Sequence, residues 1–346
     1  MKKQKRVSSV VNGTRKYTIR LATLLIGCLI VLAGCGTAAN SGSESTASPA
    51  QQTNAATGQE PADASNTRIV TDSYGEKEIP ANPQRIFSVS ATTPLLALGI
   101  TPIGGLNYEI TPDYYLNSYK DQITIAGDYP INYESVLELK PDLIIASSFV
   151  EADVVDQLSK IAPTVIYPWG VNLYEQLKFI AGIVGKEAEA EQWIKQHEEK
   201  AAKYKEEIKQ YVEPDETVAA IQIFKNSFQV AGNRNMGHVL YDLLGLKPLP
   251  SIQKQIDDSE DYFVYTDSLS LEKLPDYDAD RLIVKVDITQ PGSEQFFEEM
   301  QQSAIWKSLS AVKNGKVYIV PHDKWWSYTL FSTDALLDET MQLFKK

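Results

Sequence analysis

One arrangement of residues occurs twice in this chain, in the same order, on either side of a long charged stretch. Leu98-Gly99-Ile100-Thr101-Pro102 is matched by Leu244-Gly245-Leu246-Lys247-Pro248. Further on, the run from Glu134 to Ala146 is matched by the run from Glu272 to Val284, with Glu and Asp eight residues apart in both (Glu134 and Asp142, Glu272 and Asp280). Val165-Ile166-Tyr167-Pro168 then pairs with Tyr318-Ile319-Val320-Pro321. In each copy a helical pattern ends at a glycine, which tolerates the left-handed backbone of a helix C-terminus, and a short apolar strand follows. Two copies in the same order imply two similar lobes with a cleft between them. Ligand sites favour such interfaces and the ends of α/β strands.

The local patterns fill in this plan. Arg68–Thr71 and Lys77–Ile79 flank the turn signal Asp72-Ser73-Tyr74-Gly75 and predict a hairpin. Strands are expected at 86–89, 100–104, 143–146 and 164–167, and helices at 94–98, 134–139 and 152–161. Alternation of strand and helix predicts a parallel α/β sheet. Asn172 and Glu175 form a capping signal. Leu173, Leu177, Ile180, Ala181 and Val184 make one apolar face up to Gly185. Trp193, Ile194, Ala201, Tyr204, Ile208 and Tyr211 continue at helical spacing among Lys and Glu. That second stretch is either a rigid strut or an exposed surface helix; periodicity does not separate the two. After Pro214 the alternation resumes, with strands at 218–224, 282–286 and 316–320 and helices at 236–244 and 332–344.

The first 34 residues predict an address rather than a fold. Seven of the 33 basic residues precede Cys35 and no acid does, leaving 26 basic against 45 acidic side chains from Cys35 onward, a net of −19. That balance argues against nucleic acid as a partner and against an anionic lipid ligand. The basic start leads into an apolar run, Leu21–Gly34, too short for a spanning helix and suited to a secretory signal. It ends in Leu32-Ala33-Gly34-Cys35, a match to the bacterial lipobox, so Cys35 is expected to carry lipid on the outer face of a cell membrane of Gram-positive type. Cys28 would leave with the signal, so no disulfide or thiolate metal site is expected. Residues 35–67, rich in Ala, Ser, Thr, Gly, Gln and Asn, are expected to form a disordered tether. The expected order is therefore signal (1–34), lipidated Cys and tether (35–67), first lobe (68–171), helical region (172–213) and second lobe (214–346).

Four runs carry a resemblance: RIFSVSATTPLLALGITPIGG from Arg85, ESVLELKPDLIIASS from Glu134, LSKIAPTVI from Leu158 and WKSLSAVKNGKVYIV from Trp306. Together they resemble substrate-binding lipoproteins of ABC importers of the ferric-siderophore and cobalamin type, over residues 68 to 346. The resemblance implies an α/β fold of two similar Rossmann-like lobes joined by one long rigid helix, small hinge motion, and a shallow ligand cleft between the lobes. It implies a monomer that captures a ferric siderophore and hands it to an ABC permease with its cytoplasmic ATPase. No cofactor and no catalysis are implied, and no metal bound directly by the protein. The siderophore branch fits best on the extended pattern.

A ferric siderophore calls for aromatic walls and a few cationic donors. Strand ends in the first lobe supply Ser90, Thr92, Asn107, Tyr108, Tyr114, Tyr115, Phe149 and Trp169. The second lobe supplies Gln222, Lys225, Arg234, Lys285, Trp325, Trp326 and Tyr328. Trp326 matches a Trp that recurs in the resembled family after the last long strand; a half-buried core Trp is the alternative. Arg234 either grips an anion ahead of the helix near Met236 or is a solvated surface Arg. Relatives that take anionic catecholates often carry an Arg where this chain has Gln222, which favours a hydroxamate or mixed chelate. The resemblance also implies that Glu134 and Glu272, each opening a helix, dock onto permease arginines. By residue chemistry alone each is a first-turn Glu favoured by the helix dipole.

Other classes fit less well. Only His197, His238 and His322 exist, too few for capture of bare zinc or manganese. Haem would need axial ligands, and with no His or Met in the first lobe only Tyr could serve there; cobalamin is the nearest rival on the same fold. No G-x-S-x-G elbow marks a hydrolase, and no P-loop marks an ATPase.

Overall fold

The strand-helix alternation builds two separate sheets, seen in a computed structural model that describes residues 66–259 and 263–345. The expected signal, Cys35 and nearly all of the tether lie outside the described residues. The hairpin is β1 (Thr67–Asp72) and β2 (Gly75–Pro80), so regular structure begins one residue before the expected boundary. The first sheet contains β3 (Ile86–Val89), β4 (Gly104–Gly105), β5 (Thr124–Ile125), β6 (Leu143–Ser147) and β7 (Thr164–Tyr167). Its order is β5-β4-β3-β6-β7 and every pairing is parallel. The second contains β8 (Val218–Phe224), β9 (Ser227–Val230), β10 (Arg281–Val286) and β11 (Val317–Val320) in the order β11-β10-β8-β9, parallel except for the antiparallel edge strand β9.

Helices cover both faces of the first sheet, as a parallel sheet requires. They are α1 (Thr92–Ala97), α2 (Asn107–Ile110), α3 (Tyr133–Glu138), α4 (Ala152–Leu158) and α5 (Leu173–Val184). Ile86, Leu143, Ile145 and Val165 pack with α5 and the hairpin, while Phe87, Ile144, Ala146 and Ile166 pack on the other face with α3 and α4. The expected strand at 100–104 shrinks to two glycines. A Cβ on Gly104 would stand 2.5 Å from Leu139 Cδ1 and 2.9 Å from the Thr124 carbonyl, so β4 passes where only a bare backbone fits.

The helical region is two helices. Asn172 accepts the Glu175 N–H and caps α5, and Gly185 (φ 68°) ends it. Then α6 (Glu187–Glu207) runs for 21 residues. Its buried residues divide between two cores: Ala190 and Ile194 sit in the core of the first lobe, Ala201 and, just beyond, Ile208 in that of the second. It is therefore a strut and not a surface helix. The second lobe adds α7 (Pro250–Asp258), α8 (Ser293–Gln302), α9 (Ala304–Ser308), α10 (Ser310–Lys313), α11 (His322–Trp325) and α12 (Leu330–Phe344). Where an ordinary helix was expected at 236–244, His238–Leu243 winds wider, with Leu244 N–H donating to the Val239 carbonyl five residues back.

The closing helix is a second bridge. Leu330 enters the first lobe's core while Leu336, Leu337, Met341 and Phe344 stay in the second's. Lys200 on α6 reaches Asp334 (2.9 Å) and Asp338 (2.7 Å) on α12, and Tyr204 donates to Asp338. All described residues fall within one compact unit, 60–346. Among them no helix is long and apolar enough to cross a membrane.

Candidate functional site

The first wall of the cleft is built where β3 gives way to α1. Ser90 takes φ 70°, an unusual backbone for a residue with a side chain. Several contacts hold it there. The Glu109 carboxylate, on α2, accepts N–H groups from Ser90 (3.0 Å) and Thr92 (2.6 Å) and the Ser88 hydroxyl (3.2 Å). The Tyr167 hydroxyl donates to the Ser90 carbonyl. Burial pushes the Glu109 carboxyl above the ordinary range, and the hydrogen bonds from Thr92, Ser90 and Ser88 oppose that rise. All these partners are donors, the set an ionised carboxylate needs. The fixed turn brings Ser90 Oγ to 2.6 Å from the Tyr108 hydroxyl. Burial pushes that phenol up to about 12, so it stays protonated at neutral pH.

Trp169 follows β7. Its N–H donates to Ser148 Oγ (2.9 Å) and its carbonyl accepts from the Gln176 side chain (2.9 Å), while its ring stays 41% exposed. From the second lobe Arg234 reaches across. Its guanidinium lies 4.5 Å from the Trp169 ring and 4.8 Å from that of Tyr328, a cation held between two aromatic faces. Only 8% of Arg234 is exposed. The segment carrying it is tight: a Cβ on Gly237 would stand 1.5 Å from the Gly232 carbonyl oxygen. Asn235, also left-handed (φ 52°), donates its side-chain amide to the Trp326 carbonyl (2.9 Å) and joins the two cleft loops of this lobe. The Trp326 ring stacks near His322, centroids 6.4 Å apart.

These groups enclose a cavity of about 490 Å³ between the lobes, with Tyr108, Glu109 and Trp169 on one side and Arg234, Trp326 and Tyr328 on the other. Arg234 is the one cation among its described lining residues; Glu109 and Asp113 are the acids. A second cavity of about 430 Å³ opens in the first lobe alone and shares Ser90, Tyr108 and Trp169 with the first. A groove of about 300 Å³ by Lys205 and Gly245 shares no described lining residue with either, and none of its described lining residues is aromatic.

Of the residues expected at the site, Ser90, Tyr108, Trp169, Arg234, Trp326 and Tyr328 line the inter-lobe cavity, and Phe149 the adjoining one. Others line neither. Trp325 is 1% exposed, packed in the second lobe's core, and its indole N–H donates to Glu339. Lys285 is 2% exposed, with Nζ 5.9 Å from the Tyr265 ring centre. Its pairing row places it beside Gln222, which pairs with Gln229. Lys225 occupies the exposed β8–β9 turn with its Nζ over Phe224. Thr92 is buried in α1, and Asn107 is bound to Asp128. The second lobe's cleft loops follow β9 and β11, and neither Gln222 on β8 nor Lys285 on β10 is among the described residues lining the cavity. Residues that sequence reasoning missed include Glu109, Asp113, Tyr129, Ser147 and Asn235. The one signal for Glu109 was its place beside Tyr108; its partners lie 17 to 21 residues upstream. Glu134 and Glu272 are both exposed, each in the first turn of a short helix of its own lobe.

Comparison with known proteins places this geometry. Residues 95–324, from α1 to α11, match the family described as periplasmic binding protein. The chain is 28% identical over 332 residues to the iron(3+)-hydroxamate-binding protein YxeB of Bacillus subtilis (strain 168), covering 93% of this chain and 95% of that protein. Staphylococcus aureus SirA complexed with staphyloferrin B superposes with a TM-score of 0.67 at 27% identity, over 81% of this chain and 99% of that one. Staphylococcus aureus FhuD2 with bound ferrioxamine B superposes with a TM-score of 0.64 at 26% identity, over 76% and 98%. A match across both lobes, two parallel sheets joined by a long helix and a cleft between them lead to one assignment: the chain belongs to the periplasmic binding protein family, whose members bind ligands and do not transform them.

Proposed function

We propose that this chain captures a ferric siderophore outside the cell and delivers it to an ABC importer. The observation that carries this reading is the inter-lobe cavity: aromatic faces from both lobes, paired hydroxyls at Ser90 and Tyr108, and one stacked guanidinium. Such a lining suits a large, partly apolar, oxygen-rich chelate. The charge of the cavity supports a hydroxamate or mixed chelate over a strongly anionic one. Arg234 shares the cavity with two acids, Glu109 and Asp113, and three hydroxamates already neutralise one ferric ion. The preference first suggested by Gln222 thus rests better on Glu109, since Gln222 is not among the described residues lining the cavity. The names of YxeB and of the FhuD2 complex point the same way, while staphyloferrin B in SirA keeps a different chelate in the comparison.

The test is quenching of intrinsic fluorescence by a panel of ferric hydroxamate, catecholate and carboxylate chelates, with haem and cobalamin alongside. Saturable quenching by a hydroxamate is expected, and Trp326→Ala should weaken it by about 1–3 kcal/mol. Tight binding of haem or cobalamin without any ferric chelate would replace the reading. Two further parts belong to it. Lipid on Cys35 would hold the protein at the membrane; palmitate labelling that persists in Cys35→Ala would remove that part. Glu134 and Glu272, one on each lobe, would meet the two sides of a permease, a contact that guides association more than ligand affinity.

A further inference from the structure

We infer that the aromatic pocket of the first lobe is a second subsite of the cleft, one that takes an uncharged apolar arm carried by the chelate. This rests on the siderophore reading and adds to it a class of substrate: chelates with an acyl or aryl extension beyond the iron centre.

Three observations carry it. Tyr108, Tyr129, Phe149 and Trp169 wall a space of about 430 Å³, and no charged side chain is among its described lining residues. That volume is on the scale of a small-molecule site in its own right. Next, Phe149 leaves 78% of its surface exposed, supported by the Trp169 ring 5.7 Å away. Tyr129 (48%) and Trp169 (41%) add exposed ring surface around the same opening. A concentrated apolar rim marks a surface that gains from being covered. Third, Ser90, Tyr108 and Trp169 line both cavities, so the pocket adjoins the place where the iron centre would sit. The arm would be part of the same molecule, and binding it would add no second cost of association. Glu151 and Asp153 act electrostatically on Tyr129 at the rim, which disfavours an anionic arm.

The experiment compares two neutral probes, ferric ferrioxamine B acylated on its free amine with acetyl or with hexanoyl. Both lose the ammonium charge, so only arm length differs. The longer arm should bind the wild-type protein about 10-fold tighter, equivalent to about 1.4 kcal/mol, from partial burial of its additional methylenes. Phe149→Ala, at an exposed position where folding is not at stake, should cost the hexanoyl form about 10-fold more than the acetyl form. Tyr129→Ala should act in the same direction. Equal affinity of the two probes for the wild type, or a gain that survives both substitutions, overturns the subsite while leaving the siderophore reading in place. Failure of both probes while another ferric chelate of the panel binds also overturns the subsite; failure of every ferric chelate of the panel overturns both readings together.

Discussion

The two lobes share a frame and differ at its ends. In the first, Asp142 accepts the N–H groups of Gln84 and Arg85 at the start of β3. In the second, Asp280 accepts the N–H and hydroxyl of Thr217 at the start of β8. Ile145 pairs with Val165 in one sheet and Ile283 with Tyr318 in the other, the phase expected from the repeat. Gly99 and Gly245 both turn left-handed, at φ 75° and 67°. Carried one residue further, the correspondence sets Ser147 against Lys285 and Ser90 against Gln222. In the first lobe the strand ends carry small hydroxyl side chains and open into the aromatic pocket. In the second, a long cation lies buried below Tyr265, and the cleft is made instead by the loops after β9 and β11. A repeated scaffold thus conserves what starts its strands and leaves what ends them free to specialise.

The largest effect tests whether two lobes are two folding units. Ile194→Ala removes packing from the first core and Ile208→Ala from the second; each should cost about 3 kcal/mol. Because α6 and α12 enter both cores, calorimetry should still show one transition in each variant. Two separated transitions would break the lobes into independent units.

Next comes the shared frame. Asp142→Ala and Asp280→Ala each lose two charge-assisted hydrogen bonds at a strand start, and should each cost about 2 kcal/mol in denaturant unfolding. Costs that differ by more than a factor of two would show that the repeat is similar in sequence but not in load.

The strand-end difference has a pH signature. Burial lowers Lys285 to about 8, below its unfolded value of 10.5. Between those two values the unfolded chain binds the extra proton, so this group's contribution makes stability rise with pH from about 8 to 10.5. At neutral pH the folded state bears the cost of a buried ammonium, and Lys285→Met should gain about 1 kcal/mol there. The difference between wild type and Lys285→Met, measured by unfolding at pH 7 and pH 10, should shrink at the higher pH. A constant difference would place the ammonium in contact with solvent.

The smallest effect on the fold is expected at the exposed glutamates. A hydrogen bond with Ser270 holds the Glu272 carboxyl below its usual range, so it is charged at neutral pH. Glu134→Lys and Glu272→Lys should leave stability and ligand affinity within error and slow iron uptake a few-fold each, with the double reversal slower than either. Normal uptake by the double variant at equal surface abundance would reduce both to helix-dipole partners.

Much of the frame was legible because it is local. Strand cores such as 143–146 and 164–167 read from apolar runs, and the Asn172 cap reads from side-chain chemistry. What failed had distant causes. The strand at 100–104 contracts because Leu139 and Thr124 crowd Gly104, and the wide turn at His238–Leu243 is a matter of packing. Trp325 and Trp326 are neighbours of the same chemistry, yet one is core and the other lines the cleft, which periodicity in a four-residue helix does not decide.

The sequence by itself determined the two-lobed parallel architecture, the long helical region between the lobes and the aromatic character of the site, because strand alternation, glycine-ended helices and helical periodicity are properties of neighbouring residues. Only the tertiary structure decided that α12 is a second bridge, that Glu109 holds the Ser90 turn, that Arg234 is gripped by Trp169 and Tyr328, and that Lys285 is buried. Each of these depends on side chains brought together from separate segments, and such meetings are fixed by how the sheets and helices pack.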